Sequence, residues 1–213
     1  MKTTTGIFLA AAVLLGAASV NAAETAQEVL QKVRKKYDSV RDAEITFSQD
    51  VKFALARIDQ KSSGILYLKK EDKYRVEFGD RTIVTDGTTV WSYSVANNQV
   101  LIDNFKKDEN ALSPEKLLAG APSDLAPTLL GRERLGSTAT TVLKLVPADE
   151  LSFIRSLKLW VGDEDSLVHK AEVTDVNGKM TTYSVSEVKT NLGLPDSRFV
   201  YHIPEGAEVV DLR

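Results

Sequence analysis

The side chains best suited to catalysis are scarce in this chain. Its 213 residues include no cysteine and two histidines, His169 and His202. Thiol chemistry is therefore excluded, and a serine nucleophile would need one of those two imidazoles as its base. The histidines fall in separate strand-like segments without the paired spacing of a zinc site, and are expected to be ordinary strand residues. Asp163-Glu164-Asp165 has the acidity of a calcium loop but lacks the glycine and closing glutamate that an EF-hand needs at fixed offsets, so a solvated turn is expected. No G-x-S-x-G, no phosphate-binding glycine loop and no Rossmann fingerprint occurs. The 30 acidic residues offer many carboxylate pairs for glycoside hydrolysis, but a sequence gives no distances between them. Binding, rather than catalysis, is the reading, with no metal site.

The elements that must position any binding residues begin with a helix. Thr25-Ala26-Gln27-Glu28 reads as a capping box, in which hydroxyl and carboxylate satisfy each other's orphan amides. Ala26, Val29, Leu30, Val33, Tyr37 and Val40 follow at helical spacing, opposite Gln31, Lys32, Arg34, Lys35 and Lys36. The period then changes to two. Expected strands are Ile45–Gln49, Gly64–Leu68, Tyr74–Phe78, Thr82–Thr85, Thr89–Tyr93 and Gln99–Ile102, a meander of hairpins turning at 69–73, Asp86-Gly87 and Asn97-Asn98. Ser113-Pro114-Glu115 opens a short helix that stops at Gly120, and Leu125–Leu130 suggests a further helical turn despite Pro127. Strands resume at Thr141–Val146, Ile154–Val161, Leu167–Thr174 and Thr181–Val188, the last pair joined at Asn177-Gly178, and Phe199–Ile203 ends the chain. So many strands in hairpin order favour an antiparallel barrel or half-barrel. Tyr74, Val76 and Phe78 share one face of their strand, and Trp91 and Tyr93 share one face of theirs; if those faces point inward, the interior is apolar and aromatic.

Residues 1–22 read as a cleaved signal peptide, with Lys2, an apolar run from Ile7 to Ala18, and a small-residue stretch ending at Ala22 and Ala23. The run is shorter than the roughly 20 residues a bilayer span needs. Residues 23–213 then form a single domain of about 190 residues. Without Lys2 the charge balance is 26 basic against 30 acidic residues, a formal net charge of −4. Nucleic acid is excluded as a partner on that balance. With no cysteine there is neither a disulfide nor a site for a lipid anchor.

Several short signatures stand in order: Phe47-Ser48-Gln49 after the amphipathic helix; Ser63-Gly64-Ile65-Leu66-Tyr67-Leu68 leading to Tyr74-Arg75-Val76; Val84-Thr85-Asp86-Gly87 followed by Trp91 and Tyr93; and Phe199 with Pro204-Glu205-Gly206 and Val209-Val210-Asp211. Together, over essentially the whole mature chain, they resemble the periplasmic outer-membrane lipoprotein carrier family, LolA. The resemblance implies a mainly β fold with helices: an unclosed antiparallel half-barrel with a helical lid over an apolar cavity. It implies a periplasmic monomer, not an enzyme, using no cofactor, that takes acylated lipoproteins from an inner-membrane lipoprotein-releasing ABC transporter to an outer-membrane acceptor lipoprotein. Phe47, Leu66, Leu68, Tyr74, Val76, Phe78, Trp91 and Tyr93 are the expected cavity residues. The N-terminal helix and the Ser113–Gly120 helix, with Leu117 and Leu118, are the expected lid. The family often has Arg-Pro at the end of the second strand, the arginine bonding lid carbonyls; this chain has Lys70-Glu71, and since Lys70 supplies donors but not the planar fork, either lid closure is weaker here or the nearby Arg75 contributes. Two other readings share the half-barrel: a carrier of free lipids or glycolipids, and a sensor of envelope stress.

Overall fold

A computed structural model describes residues 24–53, 58–106, 125–148 and 152–213. The signal segment and the Ser113–Gly120 helix with Leu117 and Leu118 lie outside the described residues. The helix α1 (Ala26–Ser39) starts at the expected capping box: the Thr25 hydroxyl accepts from the Glu28 amide at 3.2 Å, and the Glu28 carboxylate accepts from the Thr25 amide at 2.7 Å. The Thr25 backbone donor, then its hydroxyl, holds the Glu28 carboxyl below its ordinary range. Ala26, Val29, Leu30 and Val33 are buried in one stripe. Among the described residues no helix is long and apolar enough to cross a membrane.

The strands are β1 (Asp42–Phe53), β2 (Ile58–Lys69), β3 (Lys73–Phe78), β4 (Arg81–Thr85), β5 (Thr89–Ser94), β6 (Gln99–Asn104), β7 (Leu125–Leu135), β8 (Thr138–Pro147), β9 (Ile154–Gly162), β10 (Val168–Asp175), β11 (Lys179–Thr190) and β12 (Glu208–Asp211). They form one sheet in the order β12-β6-β5-β4-β3-β2-β1-β11-β10-β9-β8-β7. Only the β12–β6 pair is parallel. The edges β12 and β7 do not pair, so the half-barrel is unclosed, as expected.

Following the register from strand to strand defines two faces. Ile45 faces Leu66, Leu66 faces Val76, and on the other side Ile45 faces Val188. This is the inner face, and α1 lies on it: the α1 stripe packs with Leu143, Leu145, Leu157 and Leu159, all fully buried. Each such side chain contributes roughly 2 kcal/mol of burial. A second cluster on the same face gathers Ala43, Ile45, Phe47, Leu66, Leu68 and Val76. The outer face carries its own small cluster of Tyr67, Leu194 and Phe199.

Two expected elements differ. Leu125–Leu130 is not helical but opens β7. Pro127 is compatible with that because β7 is a sheet edge, where a residue without an N–H leaves no interior ladder bond unmade. Phe199–Ile203 is not a strand: a 3₁₀ turn spans Asp196–Phe199 and the chain then runs irregularly to Pro204. Its apolar residues include Phe199, which is fully buried by docking against the outer face rather than in a ladder. His202 is consequently an exposed loop residue, while His169 does lie in β10.

Candidate functional site

Where α1 ends, the inner face is incompletely covered by the described residues. Tyr37 and Val40 at the helix end, Ala43 and Ile45 of β1, Leu68 of β2, Val185 and Val188 of β11, and Leu167 with Val168 enclose a narrow cleft. Its cavity volume is about 30 Å³. Thr190 is the one hydroxyl-bearing side chain in the wall besides Tyr37. Such a space is apolar, and it must widen before anything larger than a few methylenes fits.

Local features build this wall. A bulge between Thr46 and Phe47 lets Val188 oppose Ile45 while Val185 opposes Phe47. Two valines three positions apart thereby reach one face, which regular alternation forbids. Farther along the same face, Gly64 lies between Phe47 and Phe78 in adjacent strands. A methyl on Gly64 would stand 2.6 Å from the Phe78 Cβ, so the glycine leaves the room that the phenyl groups occupy.

The second cluster brings together Phe47, Leu66, Leu68 and Val76, with Tyr74 and Phe78 packed against it. Six of the eight expected cavity residues are thus neighbours on the inner face, and Leu68 lines the cleft itself. Trp91 and Tyr93 are not among them. Trp91 opposes Val84, which opposes Arg75, which opposes Tyr67. That row is the outer face, where Tyr93 meets Tyr201 at 6.2 Å between ring centroids.

Of the two candidate lid contacts, Lys70 reaches the helix. Its Nζ donates to the Asp38 carbonyl at 2.7 Å, and its backbone N–H donates to the Arg41 carbonyl at 3.0 Å. A cation at the last turn of α1 meets unpaired carbonyls and the negative end of the helix dipole. The turn that holds Lys70 is unusual: Glu71 and Asp72 have φ of 71° and 59°. Lys73 ion-pairs with Glu71 at 3.3 Å, and Gly87, itself at φ +90°, sits so close that a methyl there would be 2.5 Å from the Glu71 carbonyl oxygen. Arg75 stands on the outer face, donating from Nε to Glu77 Oε1 at 2.5 Å, and does not touch α1.

The inner face also holds polar groups. Gln49 Nε2 donates to the Tyr183 hydroxyl at 3.0 Å, and the Ser62 hydroxyl donates to Gln49 Oε1 at 3.3 Å. Tyr183 packs against both apolar clusters, its ring centroid 6.2 Å from that of Phe47. Burial pushes its hydroxyl pKa up, against the opposing effect of the Gln49 bond. Elsewhere, Asp163 accepts from the Thr141 hydroxyl at 2.7 Å, and Asp165 lies 2.9 Å from His169 Nε2. These acids organise the β9–β10 turn, and among the described residues no three acidic, histidine or cysteine side chains could hold a metal.

Sequence reasoning placed Tyr37 and Val40 on the helix stripe and Val185 and Val188 in a strand, without giving them to the site. The bulge that turns both valines inward leaves no composition signal.

The family of outer membrane lipoprotein carrier protein LolA matches residues 38–202. The outer-membrane lipoprotein carrier protein of Halorhodospira halophila is 26% identical over 219 residues, spanning 99% of this chain and 96% of that protein. The protein of the same name from Methylobacillus flagellatus is 29% identical over 215 residues, spanning 95% and 98%. An uncharacterized conserved protein from Thermus thermophilus shares the fold, with a TM-score of 0.60 at 19% identity, covering 87% of this chain and 98% of its own. The matched span runs from the last turn of α1 through β11 and contains nearly all of the cleft wall; the chain belongs to the outer membrane lipoprotein carrier protein LolA family.

Proposed function

We propose that this protein is a carrier that shelters the acyl chains of lipoproteins in the inner-face cleft and moves them through the periplasm from the inner to the outer membrane. The observation that carries this reading is the cleft beside the end of α1, apolar on nearly every wall, with Lys70 bonded to the last turn of the helix. Each methylene withdrawn from water is worth about 0.8 kcal/mol, so an acylated protein needs such shelter to cross an aqueous space. A narrow empty cleft keeps water out before loading. Family membership supports lipoprotein as the cargo.

In this reading Tyr37, Val40, Val185 and Val188 part from Leu68, and the chains spread over Phe47, Leu66, Tyr74, Val76 and Phe78. The helix α1 is the lid and Lys70 its catch. The chain is exported with loss of residues 1–22, and residues 23–213 act as a single-domain monomer. Cargo comes from an inner-membrane lipoprotein-releasing ABC transporter and goes to an outer-membrane acceptor, without a covalent step.

Native mass spectrometry of protein purified from the periplasm tests this. A bound acylated protein is expected. Free lipid or glycolipid as the sole bound species would replace lipoprotein as the cargo, and altered stress signalling without lipoprotein mislocalisation on depletion would make the protein a sensor.

A further inference from the structure

The hydrogen-bonding trio on the inner face has more protons than partners. Gln49 brings two amide protons, and Tyr183 and Ser62 bring one each. The two bonds at 3.0 and 3.3 Å use two of these. Reversing the amide of Gln49 reverses both bonds and still leaves two donors unspent. Among the described residues neither Tyr183 nor Ser62 has another side-chain partner. The trio sits on adjoining strands, Gln49 opposite Tyr183 on β11 and opposite Ser62 on β2. On one side of it the face is apolar, with Phe47 and Val185 preceding it and Tyr183 packed into both clusters, and on the other side Val51 stands between Thr181 and Gln60.

A half-buried donor facing an apolar bed costs stability unless something accepts from it. The fitting acceptor carries no proton of its own and is attached to hydrocarbon. We infer that Gln49, Tyr183 and Ser62 form a polar station that receives the carbonyl oxygen of an ester- or amide-linked acyl chain, fixing how far the chain slides along the apolar bed. The inference rests on the carrier reading and adds to it a recognition element: the cargo is held by its linkage as well as by its tails. Ester carbonyls occur in acylated proteins and in free phospholipids alike, so the chemistry is shared between two sources.

The test uses the full mature protein and competition against a fluorescent apolar dye. A dipalmitoylglyceryl-cysteine peptide is compared with its dialkyl ether analogue, which has the same tails and no carbonyl. The wild type is expected to bind the ester form about tenfold more tightly, the worth of one or two hydrogen bonds. Tyr183→Phe, which keeps the ring and its packing, and Gln49→Leu are each expected to bring the two forms within about twofold. Equal binding of ester and ether forms by the wild type, for the peptide and the lipid pair alike, or an undiminished preference in both variants, overturns the station while leaving the carrier reading intact. Failure of both forms to displace the dye overturns both readings. Running dipalmitoyl phosphatidylglycerol against its diether form separates the sources: an ester preference there and not with the peptide keeps the station and assigns it to free lipid.

Discussion

The inner face has two halves that read alike in sequence and differ in the fold. Beneath α1, Leu143, Leu145, Leu157 and Leu159 are fully buried. Beside it, on β1–β3 and β11, Tyr74, Phe78, Val185 and Val188 are only half-buried and a cleft remains. Both halves alternate apolar and polar residues along their strands. What separates them is the length of the helix: its 14 residues reach about 21 Å, enough to seal β8–β10 but not the rest. The sealed half holds the fold together, and in the proposed function the other half, where the cleft lies, takes the cargo.

Substitutions should break the two halves differently. The largest effect is expected from Leu159→Ala, which opens a cavity in the sealed half: a loss of about 3 kcal/mol in urea denaturation, with apolar dye affinity of the folded protein unchanged. Leu68→Ala, in the cleft wall, should cost less stability and change dye affinity more. If both variants lose stability equally and neither alters dye binding, the halves are equivalent and the distinction fails.

Gly87→Ala comes next. A side chain there meets the Glu71 carbonyl and a φ of +90°, so the turn bearing Lys70 must shift. A loss of about 1–3 kcal/mol is expected by thermal unfolding, together with faster dye uptake. Lys70→Leu removes the bond to the Asp38 carbonyl alone. About 1 kcal/mol of stability should go, and dye uptake should accelerate without change in the sealed half, as read by hydrogen exchange in β8–β10. Unchanged loading and release would remove Lys70 from its role as catch.

The smallest effect concerns the outer face. Lys69 first, then Lys73, holds the Asp196 carboxyl below its ordinary range. A lowered carboxyl contributes stability above its unfolded pKa and loses it as pH falls through the folded value. Because the ion pairs are exposed, the contribution is slight. The difference in urea midpoint between wild type and Asp196→Asn should therefore be present at neutral pH and vanish in acid, while dye binding in the cleft is unaffected.

Much of this was legible in the chain. The capping box and stripe defined α1, and alternation located nearly every strand. Alternation also grouped Tyr74, Val76 and Phe78 correctly, but it fixes a face only within one strand. Whether Trp91 joins them depends on the register across two hairpins, and Val84, opposite Arg75 on one side and Trp91 on the other, puts it outside. The inward pair Val185 and Val188 was hidden by a bulge, which leaves the residue pattern of a strand intact while changing where it points. Pro127 and Phe199 misled for a related reason: an edge strand tolerates proline, and an apolar residue in a loop can be buried by docking.

The most direct test of where cargo lies is photocrosslinking in the periplasm, with a benzophenone side chain placed singly at Val188, Leu159 or Trp91. The account expects acylated cargo to be captured from Val188, in the cleft wall, and from neither of the other positions. Capture from Trp91 on the outer face, or none from Val188 in a protein that still carries cargo, would contradict it.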